Sequence, residues 1–175
     1  GGVTSLAAMA NTTPCIDNIL LLNDNYKRAK DLLVNVYQIP AVTIRREGRI
    51  LVEMAELAEK GALAFSDDGS GIQSSDIMRA ALNCAKKFKT PILVHPEDHS
   101  FPKWVMNESP VSAELGLASQ PNIAESINIA RDIEIARYTG GKVHFQHVST
   151  KESVELVRKA KNEKLRVVCI LHPDR

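Results

Sequence analysis

The chain has 175 residues, 44% of them hydrophobic, enough to bury one sizeable core as a single domain, and 22 basic against 21 acidic side chains leave a formal net charge of +1. The two signs are interspersed, so nothing here draws a polyanion or an anionic membrane surface, and no apolar run approaches the roughly 18 residues of a membrane span. Cys15, Cys84 and Cys169 lie far apart without a C-x-x-C pair, which speaks against a disulfide framework or a thiolate zinc knuckle and fits a reducing cytoplasm.

Apolar strands of about six residues alternate with helix-period segments from end to end, the pattern of repeated βα units. The opening Gly1-Gly2-Val3-Thr4 lacks an initiator Met and reads as the entry to a strand in mid-domain, as in a piece of a longer protein. The first strand is Val3 to Met9. Asp17 then reads as the N-cap of a helix that buries Ile19, Leu22, Tyr26, Ala29, Leu33 and Val36. A second strand is expected at Ala41 to Ile44, then a short helix with Leu51, Met54 and Leu57 on one face, stopped by Gly61. The third strand is Ala62 to Ser66, and its helix begins near Ser74-Ser75-Asp76 and buries Ile77, Ala81, Leu82, Ala85 and Phe88.

The fourth strand, Pro91 to Val94, leads into a connection from Pro96 to Gln120, far longer than the usual length of about four to six residues. Such a loop is commonly functional or disordered, and here it is placed to border a site. Pro121 opens a helix carrying Ile123, Ile127, Ala130 and Ile133 up to Gly140-Gly141. The fifth strand is Lys142 to Gln146, Ser149-Thr150-Lys151-Glu152 reads as a capping box for the next helix, and the sixth strand is Arg166 to Leu171. Six consecutive βα units fit either an open doubly wound sheet or an incomplete eight-stranded barrel. The small residues Ala62, Ala64 and Ser66 on one strand face suit a crowded barrel interior.

Three strands end in potential metal ligands, Asp67-Asp68, His95 and His147, at the carboxyl ends where parallel α/β folds build their sites. Alternation sets Asp68 with Ala64 and Ser66, His95 with Leu93, and His147 with Val143 and Phe145. One carboxylate and two imidazoles suit zinc, and also manganese, cobalt or iron. A lone histidine at a strand end is as readily a hydrogen-bonded structural residue, so spacing alone leaves both readings standing. His99 and His144 are read as structural or solvated, with His144 on the face opposite His147, His172 as ambiguous, and Glu97-Asp98 as a solvated loop pair or, less in keeping with a loop position, as supports behind the ligands.

Six short stretches carry a more specific signal. Met9-Ala10-Asn11-Thr12-Thr13-Pro14 resembles M-P-N-T-x-P, and Leu51-Val52-Glu53-Met54 resembles L-T-E-M. Ala64-Phe65-Ser66-Asp67-Asp68-Gly69 corresponds to A-F-S-D-D-G and His95-Pro96-Glu97-Asp98 to H-C-E-D. Val105-Met106-Asn107-Glu108 and His147-Val148-Ser149-Thr150 match V-M-N-E and H-V-S-T. In this order the stretches resemble the bacterial-type dihydroorotases of the amidohydrolase superfamily along nearly the whole chain.

The resemblance implies a parallel TIM-type (β/α)8 barrel, here incomplete and running from about the second to the seventh strand, with residues 1–175 as part of a metal-dependent hydrolase domain. It implies zinc, held by Asp68, His95 and His147, with Asp68 standing where related enzymes use a carboxylated lysine. Asn11 would contact the substrate carboxylate. The implied reaction interconverts N-carbamoyl-L-aspartate and dihydroorotate in de novo pyrimidine synthesis, by a homodimer or a complex with a transcarbamoylase. The family's first-strand H-x-H-x-R and last-strand acid/base aspartate are not in this chain. Ala10, Pro96 and Ser109 replace a proline, a cysteine and a glycine, and Pro173-Asp174-Arg175 stands where P-H-H is expected. Two other readings follow from these departures: a catalytically inactive barrel that partners a transcarbamoylase, and a related hydantoin or allantoin hydrolase, which Asp68 in place of lysine disfavours.

Overall fold

A computed structural model of the chain describes residues 2–102 and 104–171, so His172 and the Pro173-Asp174-Arg175 departure lie outside the described residues. The main elements follow the βα alternation: β1 (Ser5–Ala8), α1 (Ile19–Ala29), β2 (Asn35–Gln38), α2 (Met54–Glu59), β3 (Phe65–Ser66), α3 (Ser75–Phe88) and β4 (Ile92–Val94). After these come β5 (Met106–Asn107), α4 (Pro110–Glu114), β6 (Ser119–Gln120), α5 (Ile123–Thr139), β7 (Val143–Val148), α6 (Lys151–Asn162) and β8 (Val167–Leu171). Every strand pair is parallel: β1 with β2, β3 through β4 and β7 to β8, and the small β5 with β6. Gln38 and Pro40 carbonyls accept from Leu63 and Ser66 N–H groups, which joins β2 to β3. Six strands thus lie side by side in chain order, as the right-handed βαβ rule requires.

The second strand lies earlier than the sequence pattern places it. Helical spacing extends α1 to Val36, yet α1 ends at Ala29, Leu33 is fully exposed, and Val36 pairs with Leu6 in β2. Its N-cap is Asn18, whose Oδ1 accepts from Leu20 and Leu21 N–H, rather than Asp17. Ladder bonds to β1 outweigh a 3.6-residue apolar period that happened to run past the helix end. Ala41, Val42 and Thr43 are buried but form no parallel strand: a side chain described below takes the Val42 and Thr43 N–H groups, and Thr43 makes an isolated antiparallel bridge with Leu51.

α3 shows why its sequence is helical and where it packs. Ser74 caps it by accepting from Ile77 N–H, an interaction of about 1 kcal/mol. Met78, Ala81, Leu82 and Ala85, at helical spacing, are buried, and each large side chain among them contributes on the order of 1.5–3 kcal/mol. Ile77 and Phe88 are only partly buried. In α5 the buried face is Ala124, Asn128, Ile129, Asp132, Ile133 and Ala136, while Ile123 and Ile127 are exposed. The face is turned from the expected one and takes in two polar residues, Asn128 and Asp132.

One of these, Asp132, is fully buried and accepts from Arg131 Nε at 2.9 Å. The same guanidinium donates to the Ile72 and Gln73 carbonyls, tying α5 to the loop after β3. Burial pushes the Asp132 carboxyl up to about 6, against the pull of Arg131. Between its ordinary value of 3.8 and about 6 the folded state therefore holds a proton that the unfolded state has lost, so stability falls as pH rises through that window. Asp132→Asn is expected to flatten this slope, worth on the order of 1–3 kcal/mol, in denaturation midpoints measured from pH 4 to 7. Equal slopes in both proteins would refute the assignment.

Candidate metal centre

β3 and β4 set the first two candidate ligands. Ser66 registers with Leu93, so continuing the alternation puts Asp68 and His95 on one sheet face, while Phe65, Ile92 and Val94 lie buried under the helices. That much follows the expected pattern.

β7 departs from it. Val143 and Phe145 register with Ile92 and Val94 on the helix side, so strict alternation would turn His147 away from His95. The ladder is irregular between Phe145 and Val148, and His147 adopts φ 36°. This local twist re-aims the ring, as strand irregularities beside sites commonly do. His147 Nε2 lies 2.9 Å from His95 Nδ1, and the rings meet edge to face at 74°. Gln146 reaches the same place, donating through Nε2 to Asp68 Oδ1 at 2.8 Å. His144 registers with Leu93 and so shares the face of His95, a correction to its expected placement opposite the site. Burial pushes its imidazole down.

Asp68, His95 and His147 each offer a ligand atom, and all three atoms lie within 4.8 Å of one another. His95 Nδ1 is 3.9 Å from Asp68 Oδ1, and both side chains are about one-fifth exposed. One carboxylate oxygen and two imidazole nitrogens at this spacing fit a divalent ion such as zinc. Burial, then the neighbouring His95, pushes the His147 imidazole down, which favours the neutral form a ligand needs. Asn11, in the loop after β1, donates from Nδ2 to Asp68 Oδ2 at 2.9 Å. All four residues singled out in the sequence therefore meet.

The supports of these groups were less legible. Asp67, next to the candidate ligand, points the other way and is buried: Oδ1 accepts from Val42 N–H at 2.8 Å and Thr43 N–H at 3.0 Å, and Oδ2 accepts from the Thr43 hydroxyl. Burial pushes this carboxyl up, with the Thr43 and Val42 hydrogen bonds pulling against it. Arg46 donates to the Asp68 carbonyl and Ser70 Oγ. Gly71, at φ 62°, packs so closely that a Cβ would stand 3.0 Å from the His95 carbonyl oxygen. Behind His147, Glu125 of α5 accepts from Ser149 and Thr150 N–H, and Thr150, not Ser149, caps α6 by accepting from Ser153 N–H.

The connection after β4 is folded into β5, α4 and β6 and borders the site. Glu97 is only partly exposed and bonds His95, Trp104 and Gln120, so of its two sequence readings the solvated one gives way to support behind the ligands. Burial alone would raise its carboxyl; the three hydrogen bonds outweigh that and hold it below the ordinary value. A cavity of about 270 Å³ adjoins the histidines, with Glu97, Trp104, Asn107 and Asn122 on its wall. Alternation with the site face on Val143, Phe145 and His147 misses Gln146; only the register of His144 with Leu93 turns Gln146 to the site, and no local pattern marks Trp104 or Gln120.

No helix of the described residues is long and apolar enough to cross a membrane. Several known proteins are similar to this chain in sequence or in fold. The L-hydantoinase (dihydropyrimidinase) from Arthrobacter aurescens superposes with a TM-score of 0.75 at 21% identity, over 97% of this chain and 39% of that one, a likeness of fold. It identifies the sheet as part of a parallel α/β barrel. Dihydroorotases from Aquifex aeolicus and Pelobacter propionicus are 41% and 42% identical over 99% of this chain. The chain spans only about two-fifths of their length, 42% and 41%. The Dihydro-orotase-like family model matches residues 1–153, and the chain belongs to that family.

Proposed function

We propose that the complete protein is a dihydroorotase, a zinc-dependent cyclic amidohydrolase of the cytoplasm that interconverts N-carbamoyl-L-aspartate and dihydroorotate in de novo pyrimidine synthesis. Residues 1–175 form part of its barrel domain. The observation that carries this reading is the convergence of Asp68, His95 and His147 at strand ends with Asn11 beside them. The dihydroorotases at about 41% identity support the choice of substrate over hydantoins.

A bound zinc ion supplies Lewis-acid polarisation of an amide carbonyl and water of lowered pKa. Asp68, His95 and His147 would hold it through one atom each. Gln146 and Asn11 each occupy one Asp68 oxygen, which restricts the carboxylate to a narrow range of orientations. Asn11 also lies where it can turn its amide to a substrate carboxylate, and orientation of this kind is costly to lose, since a misplacement of about 1 Å can slow a reaction about a hundredfold.

The test is turnover by the complete protein. It should hydrolyse dihydroorotate in preference to hydantoin, lose activity to a chelator and regain it with zinc. A metal-loaded protein that leaves dihydroorotate intact would sink the proposal. Asn11→Ala is expected to weaken metal affinity by no more than about 10–100-fold, because it removes one hydrogen bond from Asp68, while kcat/KM at saturating zinc falls by about 10- to 100-fold through the lost polar contact to substrate. Metal content and rate measured on the same sample check it; unchanged efficiency would remove Asn11 from the substrate site.

A further inference from the structure

Glu97 stands behind the candidate ligands and receives three hydrogen bonds at once. Oε1 accepts from Trp104 Nε1 at 3.0 Å and Gln120 Nε2 at 2.9 Å, and Oε2 lies 3.1 Å from His95 Nε2. An indole nitrogen can only donate, and an ionised carboxylate can only accept. Facing that anion, His95 Nε2 carries the ring proton. In the neutral ring the lone pair then belongs to Nδ1, the atom that points at His147 Nε2 and Asp68 Oδ1.

We infer that Glu97 is a positioning residue that fixes His95 as the Nε2–H tautomer and leaves Nδ1 bare toward a divalent cation shared with Asp68 and His147. Trp104 and Gln120 anchor Glu97, so the segment between β4 and α5 belongs to the support of the metal centre. The inference rests on the metal-site reading above. A hydrogen-bond partner on the outer nitrogen of a ligating histidine fixes its tautomer and aim, and losing one typically costs about 10–100-fold in metal affinity.

Glu97→Gln separates this role from simple packing, because the shape is kept and the acceptor is halved. An amide has one oxygen, so its NH2 must face either Trp104 and Gln120 or His95. In the second orientation the His95 ring presents its lone pair to the amide and Nδ1–H to the ligand cluster. In the complete protein, zinc affinity measured by chelator competition is expected to fall about 10–100-fold in Glu97→Gln. Glu97→Asp, which restores an anion on a shorter arm, should recover part of the loss. Nitrogen-15 NMR of histidine-labelled, metal-free wild type should show His95 with Nε2 protonated and Nδ1 bare.

Failure to bind zinc in the wild type would overturn the metal-site reading and this inference with it. Equal zinc affinity in wild type and Glu97→Gln would overturn the inference alone, even if the variant melts at a lower temperature. A His95 protonated at Nδ1 in the metal-free wild type would overturn it whatever the variants do, including a variant that fails to fold.

Discussion

Asp68→Ala is expected to strip zinc from the complete protein and abolish dihydroorotate hydrolysis. The carboxylate is the one anionic donor among the three candidate ligands, and two neutral imidazoles hold a divalent ion less firmly. The loss of affinity should exceed the roughly 10–100-fold that follows from losing a hydrogen-bond partner of a ligand. Folding should survive, since Asp68 is partly exposed and the groups left behind, Asn11 and Gln146, can turn to water. Metal stoichiometry, hydrolysis rate and the melting temperature of the metal-free protein, measured together, separate a lost ligand from a lost fold. An Asp68 variant with full metal content and full activity would refute the assignment.

Asp67→Ala should do the opposite: damage the fold first. It leaves the Val42 and Thr43 N–H groups and the Thr43 hydroxyl without their acceptor in a buried site. A buried donor left unmade costs about 1–3 kcal/mol, so three of them put the expected destabilisation at about 3–5 kcal/mol. Asp67→Asn keeps one oxygen for the two backbone donors and should lose only about 1 kcal/mol. Urea or guanidinium midpoints of the metal-free proteins check both figures. A midpoint for Asp67→Ala within about 0.5 kcal/mol of wild type would show that this carboxylate does not hold the loop from Ala41 to Ile44.

The contrast between these neighbours illustrates what one sequence can report. The doublet Asp67-Asp68 and the alternation from Ser66 marked Asp68 for the site face, and His95 followed from Leu93 in the same way. For His147 the same rule, applied along β7, points to the helix layer; the residue reaches the site through an irregular ladder and a left-handed φ. Its place was legible from the resemblance of His147-Val148-Ser149-Thr150 to H-V-S-T, not from periodicity.

By itself the sequence determined the βα alternation, the parallel order of the strands, the ligand types at their carboxyl ends and the family. These are matters of local period and local wording, which a chain carries wherever it sits. Tertiary structure decided where β2 begins, which face of α5 is buried, how His147 is turned, and that Glu97 is held by Trp104 and Gln120 rather than by water. Each of these depends on hydrogen bonds between residues far apart in the chain. A buried polar group must find a partner, and the partner's identity is set by what the fold brings near it.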